Sequence, residues 1–158
     1  MLKNHPHKGI IYWLLTGCVL IALMVVIGGI TRLTHSGLSM TDWKLISGAI
    51  PPLNEVEWQV AFEKYQAFPE YQKVNKGMEL SEFKAIFFWE YLHRLLGRTI
   101  GLVFMIPFLI FWRRKRFPKG IMPKMAFIFL LGAFQGFLGW WMVKSGLVDR
   151  PEVSPLRL

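Results

Sequence analysis

Four ionisable side chains stand within one short stretch of otherwise apolar sequence: Glu90, His93, Arg94 and Arg98. A charge at the centre of a membrane helix costs roughly 2.5–3.5 kcal/mol on insertion scales, so such groups need partners or a polar cavity. On a helix turning about 100° per residue, with His93 at zero, Gly97 falls near 40°, Glu90 near 60°, Gly101 near 80°, Arg94 near 100° and Arg98 near 140°. Phe88, Leu92, Leu95, Leu96 and Thr99 fall on the opposite side. All the ionisable groups therefore share one arc, which predicts a face turned inward. A neutral imidazole is an axial ligand for heme iron. Gly97 and Gly101 remove side chains where a flat macrocycle would approach the backbone. Arg94 and Arg98 suit the two heme propionates through charge-assisted hydrogen bonds. Glu90, one turn before His93, is placed to accept or deliver a proton. Spacing alone leaves three readings open. Glu90 and Arg94, four residues apart, could simply neutralise each other; the arc could hold a heme, with His93 on the iron; or it could line a proton or ion path. Glu-x-x-His also occurs in di-iron bundles, but those need a second such motif, and the chain has one.

The elements that must carry this arc are membrane helices. The chain is 53% hydrophobic and 18% charged, where a soluble domain carries about 25% charge, and its apolar residues are gathered into long blocks. Ile10 to Ile30 is uncharged and about 30 Å long as a helix, the thickness of the hydrocarbon core. Lys3 and Lys8 precede it, yet Gly28-Gly29-Ile30-Thr31-Arg32 is a poor cleavage site, so the block reads as a retained anchor. A second span is expected over about 85–112, with Ser81 as its N-cap, and a third over about 121–143. With a start at Ala85, His93 would lie roughly 12 Å into the second span. The net charge of +9 sits beside these blocks rather than on a nucleic-acid motif, which argues against nucleic acid as a partner. The basic loop 113–120 and the N-terminus are expected on the cytoplasmic side, with the acidic loop 31–83 outside. A short polar tail, Lys144 to Leu158, ends the sequence. No internal repeat is evident.

Within loop 31–83, Asn54 is placed to cap a short helix with Glu57 three positions on. Pro51-Pro52 and Pro69 bound that helix, and Trp58, Phe62 and Tyr65 share one of its faces, as for a segment on a membrane surface or a lid. The remaining candidates have bland readings. Cys18, the sole cysteine, excludes an internal disulfide and reads as a small buried apolar residue. His5 and His7 read as solvated, and His35 as an interfacial residue. Gln135-Gly136 and Gly139-Trp140-Trp141 read as close helix packing and an aromatic belt, with Gln135 a weaker candidate for lining the cavity of the arc.

Several segments, in order, resemble the heme A synthase family: Gly28 to Thr34, Ser36 to Met40, Pro51-Pro52-Leu53, Pro69-Glu70-Tyr71, Asn75 to Met78, Glu82 to Phe87, Glu90 to Arg98, Gln135-Gly136 and Trp141 to Leu147. The resemblance implies an all-α integral membrane bundle, with these three helices part of one four-helix half of an eight-helix protein. It implies oxidation of a methyl group of heme O to the formyl group of heme A, with heme B as cofactor in the other half. By residue, His93 matches the first histidine of the N-terminal half and Glu90 a glutamate considered important for catalysis. Arg94 and Arg98 match the basic positions beside them. The loop lacks the cysteine pair of some members. The family pattern places a fourth span with a partner histidine just beyond Leu158, so the expectation is a fragment, inactive on its own. A different class, a heme-binding electron carrier without oxygenation chemistry, stays open beside a structural or assembly subunit and a proton channel. Expected partners are heme O, heme O synthase, an electron donor not identifiable from sequence, membrane lipid, and a second copy of the chain. The absence of an Arg- and Ser-rich transit region favours a bacterial plasma membrane over the mitochondrial inner membrane.

Overall fold

A computed structural model describes residues 7–41 and 50–148, with side chains described to residue 145. His5 and the tail beyond residue 148 lie outside the described residues. Five helices follow in order: α1 (Lys8–Leu33), α2 (Glu55–Gln66), α3 (Pro69–Lys73), α4 (Leu80–Arg113) and α5 (Met122–Val148). Among the described residues there is no strand. Among the described residues three segments are long and apolar enough to cross a membrane: α1, α4 and Met122–Ser145 of α5.

The frame is an antiparallel pair, α1 against α4. Starting from the end that carries the N-terminus of α1, Gly9 faces the Phe111 ring, Trp13 packs on Phe104, Met24 meets Gly97, and Gly28 meets His93. One detail fixes this register. Pro107 lies inside α4 and has no N–H, so the carbonyl four residues back, Val103, loses its helical donor. Trp13 Nε1 donates to that carbonyl at 2.7 Å, replacing the lost hydrogen bond from the neighbouring helix. Around it Ile10, Trp13 and Met125 form a buried cluster that takes in Phe104, Phe111 and Phe117. Elsewhere α5 packs lightly: nothing lies within 4 Å of where a Cβ would stand at Gly136 or Gly139, among the described residues. The close packing expected at those glycines is therefore not made within this chain.

The opposite end of the pair is closed by the segment between α1 and α4. Asn54 caps α2 as its spacing predicts: its side chain accepts from Glu57 N at 2.9 Å, while Glu57 Oε2 accepts from Leu53 N at 2.8 Å. The aromatic face of α2 packs on α4, as in the lid alternative. Phe62 and Tyr65 pack on Phe83 and Phe87 of α4, with Met40 completing a buried cluster and Trp58 flanking it. Tyr65 and Phe83 are wholly buried, and burying each such ring contributes about 1.5–3 kcal/mol. α4 starts earlier than sequence suggests. Its N-cap is Glu79, in a reciprocal box with Glu82, whose Oε2 accepts from Glu79 N at 2.9 Å. Two carboxylates satisfy the orphan donors of the first turn, so Ser81 falls inside the helix. His93 then lies about 20 Å along α4 from its start.

Candidate functional site

The residues that follow α1 bring polar groups onto the arc of α4. α1 finishes with His35 in the left-handed region at φ 51°. Ser36 N donates to Thr31 O at 2.9 Å and His35 N to Arg32 O at 3.3 Å, the two reversed bonds of a Schellman termination. The chain therefore turns back over α4 immediately after Thr34. Ser36 is fully buried, and Ser39 N donates to its carbonyl at 3.1 Å. That turn aims the next residues at Glu90.

Glu90 is 2% exposed and both its oxygens are engaged. Oε2 accepts from Ser39 Oγ and from Met40 N, each at 2.7 Å. Oε1 forms an ion pair with Arg94 Nη2. The same Nη2 donates to Met40 O at 3.1 Å. One peptide unit is thus read at both ends: the Met40 N–H by the carboxylate, the Met40 carbonyl by the guanidinium. A buried carboxylate needs two or three donors and an opposite charge to remain ionised away from water, and this one has them. The mutual neutralisation of Glu90 and Arg94 that their spacing allowed does occur, and it is part of a larger anchor that fixes residues 36–40 to α4.

His93 sits one turn along on the same arc, half-buried. Its Nε2 lies over the bare backbone of α1: a Cβ at Gly28 would stand 3.2 Å from it. Among the described residues its ring has no hydrogen-bond partner. Gly97 is exposed, and a Cβ there would meet only the mobile end of Met24, Cε, at 3.3 Å. Arg98 follows one turn beyond Arg94 and is half-buried. Among the described residues no three His, Cys, Asp or Glu side chains gather to hold a metal ion. The donor set is one uncommitted imidazole beside two guanidiniums and two glycines. That set fits an iron whose four equatorial positions a porphyrin supplies, with cations for its carboxylates. It does not fit a metal ion bound by side chains alone.

Two titratable groups of the cap lie near this anchor. Glu70 of α3 is 5% exposed; burial, with the Glu90 charge adding to it, pushes its carboxyl up to about 7. Burial likewise pushes the Tyr65 phenol up to about 12, opposed by Asn75 Nδ2, which donates to its oxygen at 2.7 Å. From sequence Glu70 has no role beyond its place in the Pro69-Glu70-Tyr71 segment of the resemblance. Ser39 and Met40 were also missed as partners of Glu90. A signal existed: a carboxylate inside a span needs donors, and two serines stand just past the end of the preceding span. Of the weaker candidates, His35 terminates α1 and is exposed, Gln135 is exposed on α5 away from the Glu90 contacts, and Cys18 is exposed on α1 rather than buried. His7 is the N-cap residue of α1.

Fold and site together define a helical membrane protein that clamps a buried carboxylate–guanidinium pair beside a ligand-competent histidine at one end of an antiparallel helix pair. Residues 11–158 match the family described as cytochrome oxidase assembly protein. The chain belongs to that family. It is 55% identical over 154 residues to a protein named Heme A synthase from Flavobacterium johnsoniae, covering 96% of this chain and 45% of the relative. Proteins of the same name from Flavobacterium psychrophilum and Paramagnetospirillum magneticum are each 56% identical, covering 99% of this chain and 46% and 44% of theirs. The chain therefore spans less than half the length of the curated relatives it matches. No solved structure matches it.

Proposed function

We propose that this chain forms the substrate-handling part of a heme A synthase, which oxidises a methyl group of heme O to the formyl group of heme A for cytochrome oxidase. The observation that carries the proposal is the identity of more than half its residues with proteins bearing that name, over a stretch that includes Glu90 to Arg98. In this reading His93 would hold the heme iron, Arg94 and Arg98 would pair with the propionates, and Gly97 would leave room for the macrocycle. Bound heme supplies the redox chemistry; the chain binds and orients it. Glu90 acts with two of its functions combined: it holds Arg94 in place, and exchange of its Ser39 hydrogen bond for one to substrate would let it take a proton. Heme B is the cofactor of the family reaction, and an electron donor and heme O synthase are its partners. The same reading has a bacterial plasma-membrane protein with its N-terminus and the 114–121 loop facing the cytoplasm, supported by the basic residues that gather there.

The test is chemical. Membranes containing the full-length protein are supplied with heme O, and the extracted heme is analysed by mass. Heme A from the wild type, and only heme O from His93→Ala at equal protein level, is the expected result. Bound heme with no conversion in either would assign the site to electron transfer instead.

A further inference from the structure

At the end of the helix pair opposite the Glu90 anchor, an open groove of about 590 Å³ lies between the end of α4 and the start of α5, lined by Trp112, Arg113, Lys115, Phe117 and Met122. Its construction is specific. α4 ends in a Schellman termination: Arg116 N donates to Phe111 O at 3.0 Å and Lys115 N to Trp112 O at 2.9 Å. The Phe111 and Trp112 carbonyls are thereby engaged, and the cations of the last turn and loop offset the negative end of the helix dipole. Lys115 takes the left-handed position of this motif, at φ 50°, where glycine is the default because a Cβ is strained there. The loop keeps a lysine at a position that disfavours one, and the lysine lines the groove. Phe117 pins the loop from the other side, with its ring 5.7 Å from Phe108 and 6.1 Å from Phe111. Arg113 and Lys115 are both exposed, and among the described residues neither has an acidic partner. From Arg113 to Lys124 the sequence holds no acidic residue at all.

A groove with two unneutralised cations on one side and an indole, a phenyl ring and a thioether on the other suits a ligand with an anionic head and an apolar body. Trp112 is 55% exposed at the end of a membrane-spanning helix, the depth at which indoles meet lipid headgroups. We propose that this groove binds the phosphate headgroup of an anionic phospholipid, with Arg113 and Lys115 on the phosphate and Trp112, Phe117 and Met122 against the glycerol and first methylenes. Guanidinium and ammonium give charge-assisted bonds to the phosphate oxygens, and the apolar wall selects the lipid over a free anion. The inference is independent of the heme assignment.

The experiment uses full-length protein in neutral detergent, titrated with phosphatidylglycerol or phosphatidylcholine, with retained lipid counted by native mass spectrometry. Wild type should retain phosphatidylglycerol and not phosphatidylcholine. Arg113→Gln with Lys115→Gly should weaken retention roughly tenfold or more. Glycine relieves the strain at position 115, so the unfolding midpoint of that variant should not fall on its account. Arg114→Gln with Lys119→Gln removes the same two charges from residues outside the groove and should leave retention within about twofold of wild type. Equal loss in both double variants would overturn the site in favour of diffuse charge. Equal retention of the two lipids would overturn it as well. Saturable binding of inorganic phosphate alone, lost in the groove variant, would reassign the groove to the free anion and refute the lipid.

Discussion

Replacing Glu90 with leucine tests whether the carboxylate is the anchor of the α1–α4 junction. The change strands the Ser39 hydroxyl, the Met40 N–H and one side of the Arg94 guanidinium, in a region where Ser39 is 2% and Met40 6% exposed. Deleting one partner of a buried ion pair costs about 3–5 kcal/mol, and a stranded buried donor about 1–3 kcal/mol more. The hydroxyl can rotate to another acceptor but the Met40 N–H cannot, so Glu90→Leu should destabilise by about 4–8 kcal/mol. Arg94→Leu leaves the carboxylate with its two donors from Ser39 and Met40, and should cost less, about 3 kcal/mol. Because each single change leaves the other charge uncompensated, the double change should cost at least about 2 kcal/mol less than the sum. The assay is reversible unfolding in bicelles for the three variants, with amide exchange read at Met40. Additivity within about 0.5 kcal/mol, or a Met40 amide as protected in Glu90→Leu as in wild type, would refute the anchor.

Three further outcomes follow from the geometry. Trp13→Phe should cost about 1–3 kcal/mol by leaving the Val103 carbonyl without a donor, and nearly nothing in a Pro107→Ala background, where the helix regains its own N–H; equal costs in both backgrounds, read by unfolding, would break the link. Gly28→Ala places a Cβ 3.2 Å from His93 Nε2, against a ring, whereas a Cβ at Gly17 of the same helix meets nothing within 4 Å, so Gly28→Ala should shift the absorption spectrum of bound heme and Gly17→Ala should not. Glu70, raised in the folded protein to about 7 from 4.5, binds more protons folded than unfolded between those values. Its contribution to stability is therefore complete below about pH 4.5 and lost as pH rises to about 7, at no more than about 1.4 kcal/mol per unit. Glu70→Gln should remove that slope from the pH dependence of unfolding.

The helices and the polar arc were legible because both depend on local pattern: uninterrupted apolar length for the spans, and 100° spacing for Glu90, His93, Arg94 and Arg98. What spacing could not supply was the partner. Ser39 and Met40 are about fifty positions from Glu90, and a backbone N–H carries no residue signature. The Schellman turn that delivers them has histidine, not glycine, at its left-handed position, so the usual sign of such a turn is missing. The start of α4 was misplaced for a similar reason: a glutamate N-cap is weaker evidence than a serine, and only its reciprocal bond with Glu82 reveals it. The pairing of Trp13 with the Pro107 gap needs the register of two helices, which neither helix contains alone. The surroundings of Gln135 and Cys18 are a different matter. Sequence gives their type and span but not what packs against those faces, and both are exposed among the described residues, on α5 and α1.

The central claim is that the arc of α4 holds an iron porphyrin through His93. The measurement is the heme-to-protein ratio and Soret absorbance of the full-length protein purified as wild type, as His93→Ala, and as Phe88→Leu on the opposite face of the helix. A lower ratio and a shifted or diminished Soret band are expected for His93→Ala alone. An unchanged ratio and an unchanged band in that variant would contradict the claim.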